Sequence, residues 1–378
     1  MRFFLFAVIF IFFSCRTASK KEQKSENSGD TLRNKYASGF QIIRQQNNTV
    51  LEIFNPWQRA KDVSIKYKLV KRENSKDEKV VLRNEIQIPI KRIACLSTTH
   101  IAFVEALGCT DKIVAVSGTN LISNPKIRAK LKTKEVYDVG YEQGLNYELL
   151  ISLKPDVVFA YGIGSDVTGY ISKLRELGIP VILVGEYLEA HPLAKAEWIM
   201  FFAEFFEKQQ IAKNRFDSID KNYNKLKELA ANIKTKPLVM SGLPWSGTWY
   251  VSGGKSYAAK LIEDAGGEFL WKSIDSHESL PMDLETVFQK SAETEYWLNT
   301  GSAKTLNDII SVDARLTNLN PYKKGKLYNN NARLTETGGN DYWESGVINP
   351  DVILKDIIVI LHPGMFPGYK PFYYKKLN

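Results

Sequence analysis

LAKAEWIMFFAEFFEKQQIAKNRFDSIDKNYNKLKELAANIKTK, Leu193 to Lys236, runs without a glycine or a proline and is rich in Ala, Leu, Lys, Glu and Gln. Its second half is patterned as one helix. Phe216, Ile219, Tyr223, Leu226, Ala230 and Ile233 recur at steps of three or four, which lays them on one stripe, while Lys, Asp, Glu and Asn fill the other positions. Pro192 suits the first turn of the opening helix, where its missing N–H costs nothing. A helix from about Gln209 to Ile233 would span roughly 36 Å at ~1.5 Å per residue. The sequence on either side reads alike, as β/α alternation. The stretch is therefore expected to be a stiff strut between two similar lobes; a helical hairpin inside one large domain is the alternative.

A chain of 378 residues has room for two domains, or three with a small one. The composition, 44% hydrophobic and 25% charged, is that of a globular protein. A formal charge of +9 favours acidic ligands or an anionic surface, but it is not gathered into a nucleic-acid-binding patch. At the N-terminus Arg2 precedes an apolar run, Phe3 to Phe13, too short to span a bilayer as a mature helix. Ser14-Cys15 follows, and residues 1–14 resemble a bacterial lipoprotein signal peptide, with Cys15 as the lipidated residue. Residues 15–35, polar and almost without large apolar side chains, are expected to be a disordered tether. No later run is long and apolar enough for a transmembrane helix. The mature protein is thus expected to be exported, held to a membrane by lipid, and monomeric. Cys95 and Cys109 could pair in an oxidising compartment or remain two buried thiols.

Residues 36–90 read as a small antiparallel β appendage, with β-rich runs at Phe40-Gln-Ile-Ile, Thr49-Val-Leu-Glu-Ile-Phe and Val63 to Val70 separated by Asn-rich turns. Residues 91–190 form the first lobe. Arg92-Ile-Ala-Cys-Leu-Ser is a short strand; Thr98 or Thr99 can cap the next helix, which Gly108 ends. Asn146 caps a helix that precedes Val157-Val-Phe-Ala, and Asp166 caps one that precedes Val181-Ile-Leu-Val. Residues 191–236 are helical, and residues 237–378 repeat the plan, from the strand at Pro237-Leu-Val-Met-Ser to a closing helix at Pro350 to Ile360. Strands alternating with helices predict parallel sheets covered on both faces. One unit recurs: Asn146-Tyr147-Glu148 and Asp283-Leu284-Glu285 each open a helix that leads into a buried strand. A cap and a first-turn carboxylate at matching places give each lobe one fixed, exposed glutamate.

Several motifs fail. Gly162-Ile-Gly-Ser-Asp-Val lacks the third glycine of a dinucleotide loop, and Ser252-Gly-Gly-Lys-Ser lacks the first glycine of a phosphate loop. The four histidines are scattered without a metal-binding spacing, so no dedicated metal site is expected. No serine, histidine and acid stand in an order that points to hydrolysis.

The unit Asn146-Tyr-Glu-Leu-Leu-Ile-Ser-Leu-Lys-Pro-Asp-Val-Val-Phe resembles the first-lobe signature of the substrate-binding proteins of ABC importers for ferric siderophores, haem and cobalamin. So do Arg92-Ile-Ala-Cys-Leu-Ser-Thr-Thr-His with Leu107-Gly, and Leu177-Gly-Ile-Pro-Val. Trp249-Tyr-Val-Ser-Gly-Gly-Lys-Ser, Leu261-Ile-Glu-Asp-Ala-Gly-Gly and Ile348-Asn-Pro-Asp-Val-Ile-Leu-Lys-Asp carry the likeness through the second lobe. It covers about Arg92 to Pro363 and leaves out the β appendage.

The resemblance implies an α/β fold of two Rossmann-like lobes joined by one long helix, with ligand in the cleft near the C-terminal ends of the strands. It implies a partner, an ABC permease dimer with its ATPase, docked through one glutamate per lobe; these map onto Glu148 and Glu285. It implies a bulky metal chelate as ligand and no resident cofactor. Aromatic rings and hydroxyls suit such chelates, because stacking and donor bonds hold them without stripping the metal. The cleft candidates are Thr98, Thr99, His100, Tyr141, Tyr161, Trp245, Trp249, Tyr250, Arg333, Tyr342 and Trp343. The expected function is a lipid-anchored solute-binding protein in the periplasm or cell envelope. The rivals are an envelope enzyme of transferase type on a Rossmann-like scaffold, and a scaffold or adhesion lipoprotein.

Overall fold

The structure is a computed structural model that describes residues 30–72, 85–141, 144–162 and 167–378. The signal peptide, Cys15 and the Asp166 cap fall outside the described residues.

The chain opens with a five-stranded sheet: β1 (Asp30–Leu32), β2 (Phe40–Arg44), β3 (Asn48–Phe54), β4 (Ser64–Lys71) and β5 (Glu85–Ile88), in that spatial order. Strands β1 to β4 pair antiparallel, but β5 lies parallel to β4, so the sheet is mixed rather than antiparallel. It also begins earlier than the sequence suggested: Asp30 to Leu32 pairs with β2, and the tether gives way to structure before residue 35.

The first lobe follows as β6 (Ile93–Cys95), α1 (Thr98–Ala106), β7 (Ile113–Val116), α2 (Pro125–Lys132), β8 (Tyr137–Asp138), α3 (Tyr147–Leu153), β9 (Val157–Ala160), α4 (Val167–Glu176) and β10 (Val181–Leu183). Its strands are parallel in the order β10-β9-β6-β7-β8 and read as unbroken apolar runs because helices cover both faces. The cap of α1 is Ser97, whose hydroxyl accepts from the Thr99 N–H, not Thr98 or Thr99. Cys95 and Cys109 are free, buried thiols.

Two helices come next, α5 (Pro192–Phe206) and α6 (Gln209–Ala231), separated at Glu207, which takes a left-handed φ of 55°. The second lobe runs β11 (Leu238–Ser241), β12 (Thr248–Ser252), α7 (Tyr257–Asp264), β13 (Glu268–Phe269), β14 (Ser279–Asp283), α8 (Leu284–Lys290), β15 (Tyr296–Leu298), α9 (Leu306–Val312), α10 (Asn320–Lys323), β16 (Leu327–Asn329), α11 (Pro350–Leu361) and β17 (Lys375–Lys376). Its main sheet has the order β13-β11-β15-β16-β17, parallel except for β17, and β12 pairs with β14 as a separate ribbon. The two lobes thus have separate sheets, as the repeat in the sequence requires.

Helix α6 carries the expected stripe, with Phe216, Ile219, Tyr223 and Ala230 buried, and packs on α5, α7 and α11. Helix α5 is different. Nearly all of it is buried, including Trp198, Phe201, Phe202, Phe205 and the carboxylates Glu197 and Glu204. It touches α1 of the first lobe and α7 and α11 of the second, so it is a core helix shared by both.

The N-terminal sheet is built onto α5 rather than appended to the protein. Phe40 packs on Trp198 and Phe201 with ring centroids 4.8 and 5.5 Å apart. The Glu197 carboxylate accepts the N–H groups of Lys35, Tyr36 and Ala37, each at 2.7 Å. Glu189 accepts those of Ser38 and Gly39 at 2.9 Å, and Arg44 reaches Glu204 at 2.6 Å. Gly39 is required there: a Cβ would stand 2.9 Å from the Trp198 ring. One hydrophobic cluster then runs from Phe40 through Phe159 and Trp198 to Trp297 and Tyr373.

Candidate functional site

In an open parallel sheet, ligands bind beyond the C-terminal strand ends, where the strand order reverses. In the first lobe that point lies between β6 and β9, since the chain moves outward from β6 to β7 and β8 and then returns to β9 on the other side. The segments above it are Ser97-Thr98-Thr99 and Tyr161-Gly162, with Glu186-Tyr187 beyond β10. In the second lobe the reversal lies between β11 and β15, under Gly242 to Trp245 and Asn299 to Gly301.

The segment from Arg333 to Ser345 leaves the C-terminal end of β16 and reaches the first lobe. The Thr98 hydroxyl lies 3.4 Å from the Trp343 carbonyl. Thr337 accepts from Arg128 and donates to the Asn120 carbonyl, both at 3.1 Å. Gly339 passes so close to the carbonyl of Ile122 that a Cβ would stand 2.8 Å from its oxygen. The strongest contact is Glu344, whose two carboxylate oxygens accept the N–H groups of Ser123 and Asn124 at 2.7 and 2.9 Å, with the Ser123 hydroxyl at 3.0 Å. Burial pushes the Glu344 carboxyl up to about 7, Asp341 adds to the rise, and the donors of Ser123 and Asn124 pull it back.

The expected cleft residues divide. Trp245, at 72% exposure, and Trp343, at 60%, present their rings to solvent, as do Tyr141 and Tyr250. Thr98, Thr99 and Tyr161 are part-exposed on the first crest. Arg333 is exposed, yet its Nε donates to Asp341 at 2.6 Å and its guanidinium lies 4.2 Å from the Phe372 ring centroid. Three expectations are corrected. His100 points into the core beside Phe159 and Phe202, and burial pushes it down to about 3, which keeps it neutral. Trp249 is fully buried; its Nε1 donates to the Ser241 carbonyl at 3.1 Å and its ring packs on Trp297. On a strand, neighbours point to opposite faces, so exposing Tyr250 buries Trp249. Tyr342 is buried against Tyr373 and Tyr374 and supports Trp343 edge-on at 4.8 Å.

The sequence reading missed Glu186, Lys195 and Glu344. Glu186 sits 2% exposed at the first crest and accepts the Thr99 hydroxyl proton; its second oxygen is buried without a partner. Burial raises its carboxyl, against the pull of Thr99 and of Lys195. The Lys195 ammonium donates to the Tyr187 carbonyl at 3.0 Å and lies 4.8 Å from the ring centroid of Tyr257 on the second lobe; burial lowers its pKa, and Glu186 and Glu189 oppose that. No motif marks these residues: Glu186 and Lys195 meet because the turn Glu186–Leu188 packs on α5, and Glu344 meets Ser123 and Asn124 from the other lobe.

Glu148 and Glu285 stand where expected, exposed in the first turns of α3 and α8, whose caps are Asn146 and Asp283. Each helix runs antiparallel to its sheet, so both glutamates lie on the crest side. They differ in company. Glu285 meets Arg315 at 3.4 Å, whereas Glu148 makes no ion pair among the described residues.

The chain is similar to known proteins over this whole architecture. An uncharacterised lipoprotein of Methanocaldococcus jannaschii is 28% identical over 302 residues, which is 78% of this chain and 70% of the relative. The crystal structure of a periplasmic haem-binding protein from Pseudomonas aeruginosa superposes with a TM-score of 0.59 at 17% identity, covering 76% of this chain and 98% of that one. That of a periplasmic vitamin B12-binding protein from Vibrio cholerae gives 0.52 at 16%, covering 72% and 97%. The profile of the periplasmic binding protein family matches residues 93–334, from the first strand of the first lobe into the bridging segment of the second, and the chain belongs to that family.

Proposed function

We propose that this chain is a lipid-anchored solute-binding protein that captures a metal chelate, of the siderophore, haem or cobalamin kind, between its two crests. It then hands the chelate to the permease dimer of an ABC importer in the cell envelope. The observation that carries the reading is the pairing of two strand-order reversals, one per lobe, with Trp245 and Trp343 exposed beside them. Flat exposed rings offer stacking area to a macrocycle or a catecholate complex without competing for its metal. The bridging segment reaches the first lobe by polar contacts, and the turn that follows it packs Val347 and Ile348 on α1. Glu148 and Glu285 supply two fixed charges on the crest side, placed to meet arginines of a two-fold permease. Cys15, after cleavage, carries the lipid.

The test separates capture from delivery. Glu148→Ala with Glu285→Ala is expected to lower uptake in cells at least tenfold and to leave chelate affinity within twofold. A loss of affinity, or unchanged uptake, contradicts the docking role. Membrane fractionation of Cys15→Ser checks the anchor: the protein should leave the membrane fraction.

A further inference from the structure

We infer that the floor of the crevice is a hydrogen-bond acceptor, built on Thr99 and Glu186, that selects uncharged or cationic chelates rich in N–H or O–H donors and rejects those that present carboxylates. The inference rests on the capture reading above and narrows its ligand class.

The first ground is the charge of the strand-end segments. Residues 96–99, 117–121, 139–141, 161–162, 184–187, 241–245 and 299–301 contain no lysine or arginine, and their one charged residue is Glu186. Of the cations in neighbouring segments, Arg128 donates to Thr337 at 3.1 Å, Lys304 is exposed, and three more are engaged. Arg333 is tied to Asp341 at 2.6 Å, Lys272 to Glu268 at 2.5 Å, and Lys195 to the Tyr187 carbonyl at 3.0 Å. In a protein of net charge +9, strand-end segments whose described residues hold no lysine or arginine are a local property, not an average one. A carboxylate brought there loses its water and meets the Glu186 carboxyl, while the nearby Lys195 ammonium is already shared with Glu186 and Glu189.

The second ground is the direction of the hydrogen bonds. A threonine hydroxyl has one proton and two lone pairs. Thr99 gives its proton to Glu186, and the Ser97 hydroxyl, 2.9 Å away, is then the donor to Thr99. What remains at part-exposed Thr99 is a lone pair. Behind it Glu186 keeps a second oxygen that is enclosed and has no partner, so the acceptor that faces the crevice is Thr99. Groups that satisfy it are amide N–H, hydroxyl, or water held on a metal. The exposed rings of Trp245 and Trp343 are indifferent to this choice and supply area for either class.

Tryptophan-quenching titrations with four probes test this: cobinamide and a ferric trihydroxamate, which carry no carboxylate, against haem and ferric citrate, which do. The first pair is expected to bind at least tenfold more tightly. Equal or tighter binding of haem or ferric citrate overturns the inference and leaves chelate capture standing; no binding of any probe overturns both. Glu186→Gln removes the charge with little change of shape and should narrow the preference at least threefold. Thr98→Arg, on the exposed hydroxyl next door, should raise haem affinity at least tenfold. If both variants fold, by circular dichroism, and the ratio of affinities stays put, the crest does not set ligand class.

Discussion

The lobes are joined in two ways that differ in material. At the helical joint, Trp198, Phe201, Phe202 and Phe205 of α5 are buried among rings from the N-terminal sheet and the first lobe, and α6 lies along α11 and α7. At the bridging segment, Glu344, Thr337 and Thr98 reach across by hydrogen bonds. Apolar packing is non-directional and costly to part, because every ångström of separation exposes area to water. A hydrogen bond exchanges with water at little net cost. The contrast assigns the joints different jobs: the helices, with Val347 and Ile348 packed on α1, fix the lobes as one body, and the polar stretch from Thr337 to Glu344 can let go. It also explains why the N-terminal sheet sits where it does. By donating five backbone N–H groups, the turn between β1 and β2 satisfies Glu197, which α5 would otherwise bury unpaired, and Glu189 just before that helix.

Breaking the joints in turn measures that difference. Trp198→Ala opens a cavity where the N-terminal sheet meets α5 and should cost about 3–5 kcal/mol of stability in chemical denaturation. A cost under about 1 kcal/mol would mean that the sheet is not part of the core. Glu344→Ala should cost less, about 1–3 kcal/mol, since it leaves the N–H groups of half-buried Ser123 and buried Asn124 without their acceptor. It should also enlarge the radius of gyration in small-angle scattering, which Trp198→Ala, while folded, should not. The smallest effect is on pH. Glu344 binds its proton more tightly folded than unfolded, so its share of stability is complete below its unfolded pKa and is lost as pH rises through about 7. Between pH 5 and pH 8 the stability of the wild type should fall relative to Glu344→Gln by on the order of 1–2 kcal/mol. A flat difference would show that Glu344 does not titrate in that range.

What could be read from the sequence followed local rules. The start of α6 at Gln209, the strands at Val157 and Tyr296, and the caps Asn146 and Asp283 each depend on residues a few places apart. So did the buried alternation that made the lobes legible as parallel sheets. What could not be read depended on distant partners. Glu197 and Glu204 look like the polar face of a helix until the sheet that covers them is in place. Trp249 and Tyr250 are neighbours of equal promise, and only the pairing of β12 with β14 decides which ring is buried. His100 follows two part-exposed threonines, yet the helical turn carries it inward to Phe202. Glu186 gave no signal, because its partner Thr99 is 87 residues away.

The central claim is that the exposed rings of Trp245 and Trp343 grip one bulky chelate between the crests. The most direct measurement is the equilibrium titration of the wild type and of Trp245→Phe/Trp343→Phe with the chelate that quenches fluorescence best. The account predicts saturable one-to-one quenching in the wild type, and in the double variant at least tenfold weaker binding with most of the quenching gone. Wild type that no chelate quenches saturably, or a double variant that binds as tightly as wild type, would contradict it.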